Sequence, residues 1–280
     1  MPRALQTFEF EECPIAYRIA GSGPLLVMIQ GVGAQGTAPN PQIEILEPHY
    51  TCLTFDNRGI GASLPAGRPT SVGQMARDTL ALMDHVGWRS AHLIGHSLGG
   101  LIALQAALTA HGRVRSLTLL CTFARGADAR RLTPELLWVG VRVRFGWRSL
   151  RRRAFIDLVV PPGQRDGYSK KLADRISRVL GHDVADIPPV TDEQTSAMEK
   201  CDVTPRLGEL AGIPALVISA EKDPIAPPSS GLTIAAGIPG AHYVEIAGAS
   251  HSLPILEPER CGALTLEHLA EAERGFVARA

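Results

Sequence analysis

Six short aliphatic runs recur along the chain: Leu25 to Ile29, Cys52 to Phe55, Ala91 to Ile94, Leu117 to Cys121, Ala215 to Ser219 and Tyr243 to Ala247. Runs this short and this continuously apolar suit strands buried on both faces, and the longer amphipathic stretches between them supply the helices that do the burying. The alternation predicts an α/β chain with a mostly parallel central sheet and helices on both faces. Ser71 can cap a helix whose apolar positions Val72, Met75, Ala76, Leu80, Met83 and Val86 recur until Gly87 stops it. Leu98 to Ala110 reads as a second, more buried helix and Glu259 to Ala278 as a terminal one, while the first twenty residues read as an antiparallel edge hairpin.

The alternation fails from about Thr122 to Gly208, where helical segments follow one another with no convincing strand. That predicts a core built from residues 1–121 and 209–280, interrupted by a helical lid over 122–208. Between Arg125 and Arg153 there are nine Arg and two acids, Asp128 and Glu135. The cluster Arg142, Arg144, Arg148, Arg151, Arg152 and Arg153 reads first as a solvated helix face, since charge runs turn to water. The alternative is that one or two guanidiniums aim inward at a substrate carboxylate or phosphate. Trp138, Trp147 and Arg144 are candidate substrate contacts if the insertion closes over a site.

Composition excludes several classes of function. With 28 basic and 28 acidic residues among 280, no whole-chain field draws in a polyanion, so no nucleic-acid partner is expected. The 5 cysteines are scattered and form no CxxC pair, which predicts neither a disulfide framework nor a zinc site and fits a reducing, cytoplasmic setting. The N-terminal stretch carries Glu9, Glu11 and Glu12 without an apolar signal core, and no apolar run approaches the ~18 residues of a spanning helix. No membrane partner is expected.

Two glycine motifs compete for the chemistry. Gly31-Val32-Gly33-Ala34-Gln35-Gly36 follows a strand and Asp56 ends the next one, which is the spacing of a dinucleotide fingerprint. That fingerprint needs a helix N-terminus at the motif, and Pro39 and Pro41 delay any helix beyond it. Gly95-His96-Ser97-Leu98-Gly99 instead lies between a predicted strand and a predicted helix, so Ser97 occupies a sharp turn that presents its hydroxyl at the sheet's C-terminal edge. A serine hydroxyl needs a base to take its proton and an acid to orient that base. His251, in the loop after the last strand run, is the candidate base; His96 is expected to point away and His242 precedes its strand. Asp223, just beyond Ala215 to Ser219, is the candidate acid, with Glu221 and Asp128 as further choices.

These motifs together resemble the α/β-hydrolase family, with nucleophile, acid and histidine in the order Ser97, Asp223, His251. Asp56-Asn57-Arg58-Gly59-Ile60-Gly61-Ala62-Ser63 is similar to the D-x-R-G-x-G-x-S turn of esterases and lactonases, and by resemblance is structural. The resemblance implies an oxyanion hole formed by the N–H groups of Leu98 and Val32, with Gln30-Gly31 standing where the family usually has His-Gly. It implies a serine hydrolase of a small or medium carboxylic ester or lactone, a small-molecule substrate, and no metal or organic cofactor. Carbon–carbon hydrolysis of vinylogous diketones on the same triad, or a non-catalytic sensor, are the alternative readings. Oligomeric state is not legible.

Overall fold

The computed structural model describes residues 4–67, 69–129, 134–164 and 170–277. Its centre is an eight-stranded sheet: β1 (Gln6–Phe10), β2 (Cys13–Gly21), β3 (Leu25–Ile29), β4 (Thr51–Phe55), β5 (Ala91–His96), β6 (Val114–Leu120), β7 (Ala215–Ala220) and β8 (His242–Ile246). The spatial order is β1-β2-β4-β3-β5-β6-β7-β8. β1 and β2 form the expected antiparallel hairpin, β2 runs antiparallel to β4, and every pairing from β4 to β8 is parallel.

Period-2 alternation explains why the parallel strands are apolar throughout. Val27, Ile29, Leu53, Phe55, Leu93, Leu117 and Val217 face one core, completed by α2 (Val72–His85), α3 (Leu98–Thr109) and α8 (Pro228–Gly237). Leu26, Met28, Cys52, Ile94, Leu120, Leu216 and Ile218 face the other, covered by α1 (Pro41–Leu46) and α10 (Pro258–Val277), with the short α9 (Leu253–Leu256) at its end. The Ser71 hydroxyl caps α2 by accepting from Gln74 N–H at 3.0 Å, as its position suggested. Ala278, the expected end of the terminal helix, lies outside the described residues.

Between β6 and β7 the chain builds α4 (Pro134–Phe145), α5 (Arg148–Val159), α6 (Lys170–Leu180) and α7 (Thr191–Glu199). Among the described residues this stretch adds no strand to the sheet, only an isolated bridge between Arg125 and Asp202. Ile156, Val159, Ala173, Ile176 and Val184 form a small core of their own with Ile255 of α9. Most of the arginines pair with acids distant in sequence, Arg142 with Asp157, Arg144 with Asp192, Arg148 with Asp183 and Asp186, and Arg152 with Asp183, while Arg153 pairs with Asp157 one turn along α5. Hydrogen bonds from Arg152 hold the Asp183 carboxyl well below the usual carboxylate range. The cluster is a web of ion pairs tying α4 and α5 to the loops around α6 and α7.

The Asp56 to Ser63 turn is a structural knot. Asp56 accepts from Thr37 N–H and Ala62 N–H, and Ser63 Oγ bridges the Asp56 carbonyl and Ala16 N–H. Arg58 is fully buried and grips both Asp78 oxygens at 2.5 and 2.6 Å. With Asp56 so occupied, and α1 starting only at Pro41, the Gly31 to Gly36 segment offers no helix N-terminus for a pyrophosphate. The dinucleotide reading has no structural footing.

Candidate active site

Val32, Ser97, Asp223 and His251 follow β3, β5, β7 and β8, so the topology brings four sequence-distant segments to one edge, the C-terminal ends of the parallel strands. Ser97 sits between β5 and α3 at φ 55° and ψ −122°, a conformation few non-glycine residues adopt and which costs about 1–3 kcal/mol. Its surroundings over-determine it: Ser97 N–H donates to the Leu120 carbonyl at 3.0 Å, and Thr122 Oγ1 donates to the Ser97 carbonyl at 2.6 Å. The motif glycines are there for space. A Cβ on Gly99 would run into the Ile29 carbonyl, and one on Gly95 into the Gly99 carbonyl. A Cβ on Gly31 would lie 3.1 Å from Ser97 Cβ, so the loop after β3 lies directly against the serine.

Asp223 is buried and all its acceptor sites work. Oδ1 accepts from Ile225 N–H at 2.8 Å and Ala226 N–H at 2.9 Å, and Oδ2 lies 2.7 Å from His251 Nδ1. The imidazole is therefore anchored through Nδ1, which leaves Nε2 as the nitrogen available to take a proton. The loop carrying His251 is fastened by Glu221, whose carboxylate accepts Gly248 N–H at 2.7 Å, and by Ser250 Oγ donating to the Lys222 carbonyl. Glu221 thus braces the loop and does not contact the ring, while Asp128 pairs with Arg125 at 2.6 Å on the surface.

His96 is not turned away as expected. Its ring lies 4.9 Å from the His251 ring and its Nε2 is 3.1 Å from the His251 carbonyl. Burial, reinforced by His251, pushes its pKa down to about 3, so a neutral His96 donates Nε2–H to that carbonyl and adds no positive charge beside the His251 ring.

Ser97, His251, Gly31, Val32 and His96 open on a cavity of about 680 Å³. Its other walls are mostly apolar side chains, among them Leu137, Val143, Phe155, Ile176, Val179 and Met198 from α4 to α7, with Gln30, Asn40, Thr191, Thr195 and Ser252 as uncharged polar members. Among the described residues no Arg, Lys, Asp or Glu lines it. Phe145, 82% exposed, stands at the rim. The structure does not bring Trp138, Trp147 or Arg144 to this cavity. Trp138 is 62% exposed because the valines of α4 take the face toward the cavity, and Trp147, at the N-cap of α5, is 74% exposed. Arg144 points to Asp192 at 3.3 Å. Leu98 N–H is the first of α3 and, as at any helix start, has no intrahelical acceptor, while Val32 follows Gly31 in the loop that lies against the serine. Among the described residues no group of three His, Cys, Asp or Glu side chains is placed to hold a metal ion.

The model of the alpha/beta hydrolase fold family matches residues 24–258, which takes in all of these groups. The chain belongs to the α/β-hydrolase family. It is 28% identical over 269 residues to the protein assigned as carbamate hydrolase RutD in Azorhizobium caulinodans, covering 94% of this chain and 97% of that one. Among solved structures it is similar to the enol-lactonase from Burkholderia xenovorans LB400, with a TM-score of 0.77 and 26% identity over 92% of this chain and 97% of that one. A hydrolase from Pseudomonas aeruginosa PA01 superposes with a TM-score of 0.78 at 25% identity, over 95% and 98% of the two chains. These likenesses support a hydrolase with this family's architecture.

Proposed function

We propose that this α/β-hydrolase cleaves an uncharged carboxylic ester or lactone through an acyl-enzyme formed on Ser97. His251 Nε2 takes the hydroxyl proton as Ser97 Oγ bonds to the carbonyl carbon. The displaced electron pair goes to the carbonyl oxygen, and the N–H groups of Val32 and Leu98 stabilise that oxyanion. On collapse the carbon–oxygen bond to the alcohol breaks, and the imidazolium returns its proton to the leaving alkoxide. Water then repeats the addition on the acyl-enzyme, releasing the acid and free Ser97. Asp223 holds the ring in the Nδ1–H tautomer and stabilises the cation. The helical segment between β6 and β7 acts as a lid that keeps water from the reacting carbonyl and supplies the apolar wall.

The observation that carries this reading is the 2.7 Å contact between Asp223 and His251 Nδ1, at an edge where a strained serine and that histidine line one cavity. A carbamate, which the RutD relatives suggest, would undergo the same addition at its carbonyl; the uncharged, largely apolar cavity favours the ester. Turnover of p-nitrophenyl butyrate by the wild type and by Ser97→Ala tests the reading. The variant should keep its fold and lose hydrolysis, and undiminished hydrolysis would overturn the mechanism.

A further inference from the structure

We propose that Gln194 and His182, both from the segment between β6 and β7, are positioning residues that hold the loop carrying the Val32 N–H donor. The proposal rests on the reading of Ser97 as nucleophile and Val32 as oxyanion donor, and adds that the helical segment is part of the oxyanion machinery as well as a cover.

Val32 sits in a tight turn, closed by Ala34 N–H donating to the Gly31 carbonyl at 3.3 Å, with Gly33 at φ 73°. A turn next to glycine has little stiffness of its own, so the direction of its N–H groups depends on what grips the flanking peptides. Upstream, Asn57 Nδ2 donates to the Gln30 carbonyl at 3.1 Å, which ties the loop to the hydrolase core. Downstream, the core takes hold again at Thr37, whose N–H donates to Asp56, and the hydrogen bonds to Gly33 and Gln35 across the chain come from the inserted segment. Gln194 Oε1 accepts Gly33 N–H at 2.9 Å, His182 Nε2 lies 2.8 Å from the Gly33 carbonyl, and Gln35 N–H donates to the Leu180 carbonyl at 3.0 Å. Both polar groups of Gly33, the residue after Val32, are thus held from across the chain.

Gln194 is fully buried, and its Nε2 is without a hydrogen-bond partner among the described residues. A buried half-satisfied amide is costly. Among the described residues the hydrogen bond this side chain makes is the one to Gly33, which is what a group placed to hold a peptide would make.

The test compares wild type, Gln194→Met, Gln194→Glu and Ser97→Ala with p-nitrophenyl butyrate. Methionine fills the same volume without the acceptor, and glutamate keeps an acceptor oxygen. Since the oxyanion donor acts in the transition state, Gln194→Met should lower kcat by about 10- to 100-fold with KM within about twofold. Losing the unpaired amide offsets the lost bond to Gly33, so Tm should move by less than about 5 °C. Gln194→Glu, kept in its neutral carboxylic-acid form by full burial, still offers a carbonyl oxygen to Gly33 N–H and should restore most of kcat. A folded Gln194→Met with wild-type kcat, a loss confined to KM, or no recovery in Gln194→Glu would overturn the proposal. Where Gln194→Met does not fold, His182→Ala gives the same readout from a half-buried position, and an unchanged kcat there overturns it too. Retained activity in Ser97→Ala would instead overturn the underlying reading of the site.

Discussion

Lengthening the acyl chain of the substrate is the perturbation to which the cavity should respond most steeply. Its apolar lining and volume of about 680 Å³ leave room for several methylenes beyond an acetyl group, and the same wall has no cation to receive an acid among the described residues. Burying one methylene is worth about 0.8 kcal/mol, so four of them, from acetate to hexanoate, are worth about 3 kcal/mol, or roughly 200-fold in kcat/KM if fully realised. A terminal carboxylate has the opposite effect, because an unpaired charge in apolar surroundings costs several kcal/mol. Initial rates with p-nitrophenyl acetate, butyrate, hexanoate and hemisuccinate measure both. The expected profile rises steeply to hexanoate, with the hemisuccinate at least about 100-fold below the butyrate. A flat profile, or a hemisuccinate cleaved as well as the butyrate, would refute the assignment of this cavity as the acyl pocket.

Two further outcomes concern stability. Asp78→Ala leaves the buried Arg58 guanidinium without its carboxylate and should destabilise the fold by about 3–5 kcal/mol in urea unfolding, where a change under about 1 kcal/mol would show the pair to be dispensable. Burial pushes His268 down to about 4, so the native ring stays neutral where the unfolded chain protonates near 6.5. Its contribution is therefore present above about pH 6.5 and lost as pH falls towards 4, by about 1 kcal/mol per pH unit, with His96 acting in the same direction. Urea midpoints between pH 7 and 4.5 should fall less steeply in His268→Gln than in the wild type, and an identical slope would contradict the assignment.

How much was legible follows from how local each signal is. The strands of the parallel sheet announce themselves through continuous apolar runs, and the Ser97 turn through glycines that short-range contacts demand. Asp223 and His251 could be picked out because each follows a strand of the same sheet edge. α1 and α8 were not expected, because six residues opening on Pro41, and ten opening on Pro228 with glycine and serine inside, show no helical periodicity. Trp138 on α4 and Trp147 at the start of α5 stand away from the cavity because each segment has apolar residues on several sides, and only the packing partners decide which side faces inward. The arginines lost their appeal as substrate ligands once Asp157, Asp183, Asp186 and Asp192 proved to be their partners, pairings no spacing rule displays. His96 meets His251 from 155 residues away, and Gln194 reaches Gly33 from 161 residues away; neither leaves a local trace.

Attack on the carbonyl by Ser97 Oγ is the step on which every other residue's role depends. Incubation with an aryl fluorophosphonate, followed by peptide mass spectrometry, reads this directly. One phosphonyl group should attach per chain, on the peptide containing Ser97, with turnover lost in proportion to labelling and no adduct in Asp223→Ala over the same time. Full labelling at another residue with loss of turnover, or complete Ser97 modification with hydrolysis intact, would contradict it.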